Sequence, residues 1–192
     1  MRAIFFDIGG VLIRTEDWSH RRRWARRFGI DERTLEDRIH NSDIGKRASI
    51  GQATRDDAWR SAQHDFGLTD TQLNMLRADF YKGDVWNLPL LKQARKLSKR
   101  FMLGIISNAW SEAREIHAEH IHHKLFDTIV YSYEERIAKP NPEIFCRALK
   151  RIGVNAKDAI FIDDVIGNVE AARHLGMKAI HFQGSLMKTS EF

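Results

Sequence analysis

The sequence predicts an α/β protein: a Rossmann-like parallel sheet with helices on both faces, plus a small helical bundle inserted after the first strand. Three observations carry this. Ala3-Ile4-Phe5-Phe6 is an unbroken apolar run that stops at Asp7, as a strand covered on both faces does. From Thr15 to about Val85 the apolar residues change to helical spacings of three, four and seven. After Trp86 short apolar runs alternate with amphipathic helical patterns, the signature of strands joined by crossover helices.

The elements follow in chain order. Behind Asp7 come Gly9 and Gly10, which let the backbone pass close to a bound group. The helical block groups Trp18, Trp24, Ala25 and Phe28, then Leu35 and Ile39, then Trp59, Ala62 and Phe66, then Leu73, Leu76 and Phe80, which predicts about four helices and no strand. Thr69 and Gln72 form a capping box, with Leu68 and Leu73 placed as its hydrophobic staple. Beyond the block, Pro89 opens a helix whose apolar face is Leu90, Leu91, Ala94 and Leu97. Phe101 to Ile106 reads as the second buried strand, ending in Ser107-Asn108. A helix from about Ser111 and a strand near Thr128 to Val130 precede Lys139-Pro140-Asn141-Pro142. The next helix carries Phe145, Ala148, Leu149 and Ile152 on one face, with Gly153 as its left-handed cap. Ala159 to Ile162 is a strand ending in Asp163-Asp164, Gly167 to Leu175 a helix closed by Gly176, and Lys178 to Phe182 a last strand. Residues 1–14 and 86–192 are expected to form the core domain and residues 15–85 a helical cap.

Composition narrows the class. With 192 residues and 43% hydrophobic content the chain can bury a sizeable core. No apolar run nears the ~20 residues that span a bilayer, and the N-terminus lacks a signal-peptide pattern. A cytoplasmic protein is expected, and the single cysteine agrees with a reducing compartment. Cys146 falls on the apolar side of its helix and is expected in the core. The net charge of +5 is a weak pointer to an anionic ligand. Arg21, Arg22, Arg23, Arg26 and Arg27 share a predicted helix with Trp18, Trp24 and Phe28, so one exposed basic face explains them better than nucleic-acid binding. His117, His120, His122 and His123 have no cysteine or paired acid at zinc-ligand spacing, and a solvated helix end accounts for them.

The polar residues at the strand ends are the informative ones. Asp7, Ser107-Asn108 and Asp163-Asp164 all follow parallel strands, so they converge on one edge of the sheet, and Lys139 stands in the loop after another strand. Three gathered carboxylates repel one another unless a cation intervenes, and Mg²⁺ suits all-oxygen ligands. A lysine, a hydroxyl, the backbone N–H groups around Gly10 and a metal together suit a phosphoryl group.

These stretches, Phe5-Phe6-Asp7-Ile8-Gly9-Gly10-Val11, Ile105-Ile106-Ser107-Asn108, Lys139-Pro140 and Phe161-Ile162-Asp163-Asp164 with Asn168, resemble in order and spacing the four motifs of the haloacid dehalogenase superfamily. The likeness spans nearly the whole chain. The helical block falls where that family carries its C1-type cap, as in phosphatases of the glucose-1-phosphate type and the N-terminal domain of soluble epoxide hydrolases. The resemblance implies a Mg²⁺-dependent phosphatase acting on a small phosphorylated metabolite through an aspartyl-phosphate at Asp7. It implies that Asp7, the Gly9 carbonyl and Asp164 hold Mg²⁺, with Asp163 and Asn168 orienting it or its waters. Ser107, Lys139, the Asn108 amide and the backbone at Gly10 would bind the phosphoryl oxygens. Removing Lys139 is then expected to weaken phosphate binding and to leave folding nearly intact.

One position departs from the family pattern. Family phosphatases carry a second aspartate two residues after the nucleophile, as acid and base, and this chain has Gly9 there. General acid catalysis contributes ~10²–10⁴-fold, so the loss weakens a phosphatase without abolishing attack. Either the cap supplies a substitute, with Glu16, Asp17 and His20 the nearest in sequence, or the leaving group needs little help, as with sugar-1-phosphates and acyl phosphates. Two alternatives stay open: a non-catalytic protein that binds phosphate ligands, and, ranked below it, a haloacid dehalogenase.

Overall fold

The computed structural model of the chain describes residues 2–184. Five strands, β1 (Ala3–Phe6), β4 (Met102–Ser107), β5 (Thr128–Tyr131), β6 (Ala159–Asp163) and β7 (Lys178–His181), form one sheet in the order β5-β4-β1-β6-β7. All neighbours in it run parallel. β1 is therefore central, and its register pairs Phe6 with Ile105 on one side and Ile162 on the other. One residue further, Asp7 leaves the sheet between the ends of β4 and β6, donating its backbone N–H to the Ile162 carbonyl at 2.9 Å.

Side chains alternate across the strands and bury both faces. Ile4, Phe6, Ile105, Ile129 and Ile162 pack under α6 (Leu88–Leu97), whereas Ala3, Phe5, Ile106, Val130 and Phe161 pack against α9 (Pro142–Ile152) and α10 (Ile166–His174). Asn87 caps α6 by accepting from the Leu90 N–H at 3.2 Å, one residue ahead of the position expected from Pro89. Gly153, at φ +71°, ends α9 as expected.

The segment after β1 differs from expectation in two respects. It holds five helices: α1 (Ser19–Arg27), α2 (Glu32–His40), α3 (Asp43–Ser49), α4 (Arg55–Asp65) and α5 (Asp70–Phe80). The extra one, α3, arises because Ser42 accepts from the Gly45 N–H and starts a new helix directly after α2. Two short strands bound the block, β2 (Ile13–Thr15) and β3 (Asp84–Trp86), paired antiparallel. A three-residue strand is too short to show a period of two; the pairing is fixed where the chain leaves and returns, with Thr15 Oγ1 donating to Asp84 Oδ1 at 2.6 Å across it. The capping box at Thr69 and Gln72 is present, and Leu68 and Leu73 are both buried beside it. Thr54 and Asp57 make a second box that a search for Glu or Gln at the third helical position passes over. The block has its own core of Trp24, Leu35, Ile39, Trp59, Leu76 and Phe80, closed by Trp110 from the loop after β4. Cys146 is half-buried rather than in the core. Among the described residues no helix is long and apolar enough to cross a membrane.

Candidate active site

Because β4 and β6 flank β1, the polar residues at their ends meet around Asp7. Lys139 lies across them, 4% exposed, with Nζ 2.9 Å from Asp7 Oδ2 and 2.7 Å from Asp163 Oδ2. It is a buried charge rather than a solvated loop residue, and two carboxylates pair with it. Its backbone is fixed by Asn108: the Lys139 N–H donates to Asn108 Oδ1 at 2.8 Å, and Asn108 Nδ2 donates to the Lys139 carbonyl at 2.9 Å. This reciprocal pair clamps the loop after β5 to the loop after β4, a use of the Asn108 side chain beyond the amide contact expected of it. The peptide between Lys139 and Pro140 is cis.

Asp163 is fully buried and fully engaged. Its Oδ1 accepts from the Val165 N–H at 2.7 Å, and Asn168 Nδ2 donates to both its oxygens at 3.2 and 3.1 Å. Ser107 is buried at the end of β4, where it lowers the Asp7 pKa against the effect of burial. Ser132, with which β5 hands over to the short helix α8 (Ser132–Glu135), was not anticipated from sequence. Its hydroxyl accepts from the Ala109 N–H at 2.9 Å and donates to the Ala109 carbonyl at 3.3 Å, pinning the loop that follows Ser107. The signal was available in principle, since Ser132 ends a parallel strand at the same sheet edge.

The two glycines differ. Gly10 has φ +70°, and a Cβ there would fall 2.0 Å from Asp164 Oδ2, so the Asp164 carboxylate rests against bare backbone. Gly9 has no such constraint: a Cβ would meet nothing within 4 Å.

Charge is out of balance at this edge. Asp7, Asp163 and Asp164 each present a ligand atom within 4.8 Å of the others, the sole such group of acids, histidines or cysteines among the described residues. Burial pushes the Asp7 carboxyl up to about 7, with Lys139 opposing the rise and Asp163 adding to it. Asp164 is raised by desolvation where it packs and then by the Asp163 charge. Lys139 sits above its ordinary value: burial disfavours its charge, but the two carboxylates outweigh that. One ammonium against three carboxylates leaves a surplus of hard oxygen donors, a set that fits a divalent cation such as Mg²⁺ and not a soft one. With Asp163 spent on Lys139, Val165 and Asn168, the carboxylates left to face such an ion are those of Asp7 and Asp164.

Of the three substitutes expected for the absent second aspartate, Glu16 and Asp17 are bonded locally, whereas the buried Nδ1 of His20 has no hydrogen-bond partner. Glu16 pairs with Arg14 at 3.1 Å, Asp17 accepts from the Ser19 N–H at 2.8 Å, and His20 lies 3.7 Å from Asp17 and 3.9 Å from Asp79.

Residues 1–176 match the haloacid dehalogenase-like hydrolase family. Among curated proteins, the sesquiterpene phosphatase astK of Aspergillus oryzae is 27% identical over 195 residues, covering 99% of this chain and 94% of that protein. The glyceraldehyde 3-phosphate phosphatase of Methanopyrus kandleri is 30% identical over 99 residues, covering 50% of this chain and 41% of that protein. Among solved structures, a HAD family enzyme of Bacteroides thetaiotaomicron in complex with magnesium and inorganic phosphate superposes with a TM-score of 0.79 at 21% identity, covering 100% of this chain and 99% of that one.

Proposed function

The chain belongs to the haloacid dehalogenase-like hydrolases, and on that premise we propose that it is a Mg²⁺-dependent phosphatase of a small phosphorylated metabolite, with Asp7 as its nucleophile. The observation that carries this reading is the pairing of a buried Asp7 with a buried Lys139 beside two further carboxylates. The phosphatase names of the curated relatives and the magnesium and phosphate bound by the structural neighbour agree with it.

Asp7 would attack phosphorus, forming an acyl phosphate and expelling the leaving oxygen; water would then cleave that intermediate and release phosphate. Lys139, already poised over Asp7 Oδ2, would neutralise a phosphoryl oxygen, with Ser107 and the backbone at Asn108 and Gly10 donating to the others. Asp7, Asp164 and the Gly9 carbonyl would hold Mg²⁺, while Asp163 and Asn168 fix Lys139 and the start of α10. Mg²⁺, when bound, supplies charge neutralisation for the phosphoryl group. Residues 15–85 would act as a cap that closes over residues 1–14 and 86–192 and selects the substrate. The lone half-buried thiol suits a cytoplasmic setting.

The test is phosphate release from a panel of phosphate monoesters with and without Mg²⁺, for the wild type and for Asp7→Asn. Turnover that needs both Mg²⁺ and Asp7 supports the enzyme. Phosphate binding without turnover would favour the second reading, a non-catalytic binding protein, which the glycine at position 9 keeps in view.

A further inference from the structure

We propose that the outer face of α6 docks on an anionic lipid surface, holding the protein peripherally at a membrane; this does not depend on the phosphatase reading. The observation behind it is the distribution of charge. The chain carries 31 basic and 26 acidic residues, a surplus of five. Lys92, Arg95, Lys96, Lys99 and Arg100 stand in a stretch, residues 85–111, that contains no acid, and without them the remaining basic residues equal the acidic ones in number. The entire net charge is thus carried by one helix and the turn that leaves it.

The structure gathers these residues on one side. α6 turns Leu90, Leu91 and Ala94 into the core. Leu88, Lys92, Arg95 and Lys99, at spacings of four, three and four, form a stripe away from that face, with Lys96 beside it. The Ser98 N–H donates to the Ala94 carbonyl and the Arg100 N–H to the Leu97 carbonyl, both at 2.9 Å, so the chain keeps a helical course through the turn. The stripe is about 16 Å long at the rise of an α-helix. All five basic side chains are exposed, and none makes an ion pair among the described residues. Arg100 lies over the Phe101 ring, 5.5 Å from its centroid. Asp127, which lines the hollow beside Arg100, accepts from the Leu103 N–H at 2.8 Å. On other helices acids meet the basic residues: Arg21 pairs with Glu36 and Asp84, Arg22 with Glu32, Arg23 with Asp79, and Arg147 with Glu143.

The chemistry of the stripe selects the partner. Roughly 4–8 basic residues clustered on a helix attract anionic headgroups through their summed charge, without a fixed hydrogen-bond geometry. Leu88, 58% exposed, leads the stripe, and Val85, 38% exposed, precedes it. Apolar side chains there gain nothing from the phosphates of a nucleic acid, whereas at a bilayer they enter the boundary between headgroups and acyl chains. A helix that reads duplex DNA brings polar side chains of its first turn to the base edges. The first turn of α6 is Leu88, Pro89 and Leu90. The attachment is a surface one, since among the described residues no helix is long and apolar enough to cross a membrane.

The experiment is co-sedimentation of the full chain with vesicles of phosphatidylcholine alone and of phosphatidylcholine and phosphatidylserine in equal parts. It is run at about 0.1 M and about 1 M salt, between which the Debye length falls from ~10 to ~3 Å. The wild type is expected to bind the mixed vesicles at the lower salt, to leave them at the higher, and to ignore phosphatidylcholine. Lys92→Gln combined with Lys96→Gln and Lys99→Gln should weaken binding about 100-fold, near fivefold per charge. Leu88→Gln should weaken it about tenfold without changing the charge. These side chains are exposed and stand outside the candidate site, so thermal melts and phosphate release from p-nitrophenyl phosphate should match the wild type. A triple variant that binds as the wild type does overturns the inference, as does a wild type that binds no anionic vesicle. Binding to a short DNA duplex without binding to vesicles overturns it in favour of a nucleic-acid partner.

Discussion

Lys139→Met removes the ammonium from the centre of the site and keeps most of the stem's bulk. The side chain is 4% exposed and contacts carboxylates on both sides, so its loss exposes no charge to water and instead strands buried anions. Breaking a buried ion pair by deleting one partner costs about 3–5 kcal/mol. Asp163 keeps its bonds from Val165 and Asn168, whereas Asp7 is left chiefly with the Ile8 N–H at 2.7 Å. The lower end of that range, about 3 kcal/mol, is therefore the expected cost at high pH without metal. The dependence on pH has a definite sign. The Asp7 carboxyl is raised to about 7 by burial, so the native state holds its proton more tightly than the unfolded chain and stability falls as pH rises from the ordinary carboxylate value through 7. Lys139 opposes that rise, so without it the window extends upward and the gap from wild type widens above pH 7. Urea melts in EDTA at pH 6 and pH 8.5 measure this directly. A variant within about 1 kcal/mol of the wild type at pH 8.5, or one equally destabilised at both pH values, would refute the pairing. This replaces the expectation from sequence that removing Lys139 leaves folding nearly intact.

The adjacent glycines should respond oppositely to substitution. Gly10→Ala forces a Cβ to within 2.0 Å of Asp164 Oδ2 at a left-handed backbone position, so it should raise the Mg²⁺ concentration needed for half-maximal activity by about 10–100-fold. An unchanged Mg²⁺ requirement would separate Asp164 from the metal. Gly9→Asp adds its side chain where nothing lies within 4 Å, and a thermal melt should place its stability within about 1 kcal/mol of the wild type.

The strand-end acids, their order and the change from strand to helical periodicity are local properties of the sequence. Apolar runs that stop at Asp7, at Ser107 and at Asp163 determined that a parallel sheet would present these residues at one edge, and capping residues such as Thr69 and Gln72 determined where individual helices begin. Contact among those residues is another matter. That β1 lies between β4 and β6 is a non-local pairing, and it alone makes Asp7 and Asp163 share one lysine. The burial of Lys139 follows from it, because desolvation depends on what packs around a charge and not on its neighbours in the chain. The ribbon of β2 and β3 was illegible for the same reason, each strand being three residues long and held by its pairing with the other and by Arg21 of α1, which bonds Thr15 and Asp84. Glu16 and Asp17 are near Asp7 in sequence but bonded to local partners, which their place in the chain does not reveal. Periodicity determines which residues share a face, and only tertiary packing decides what that face meets.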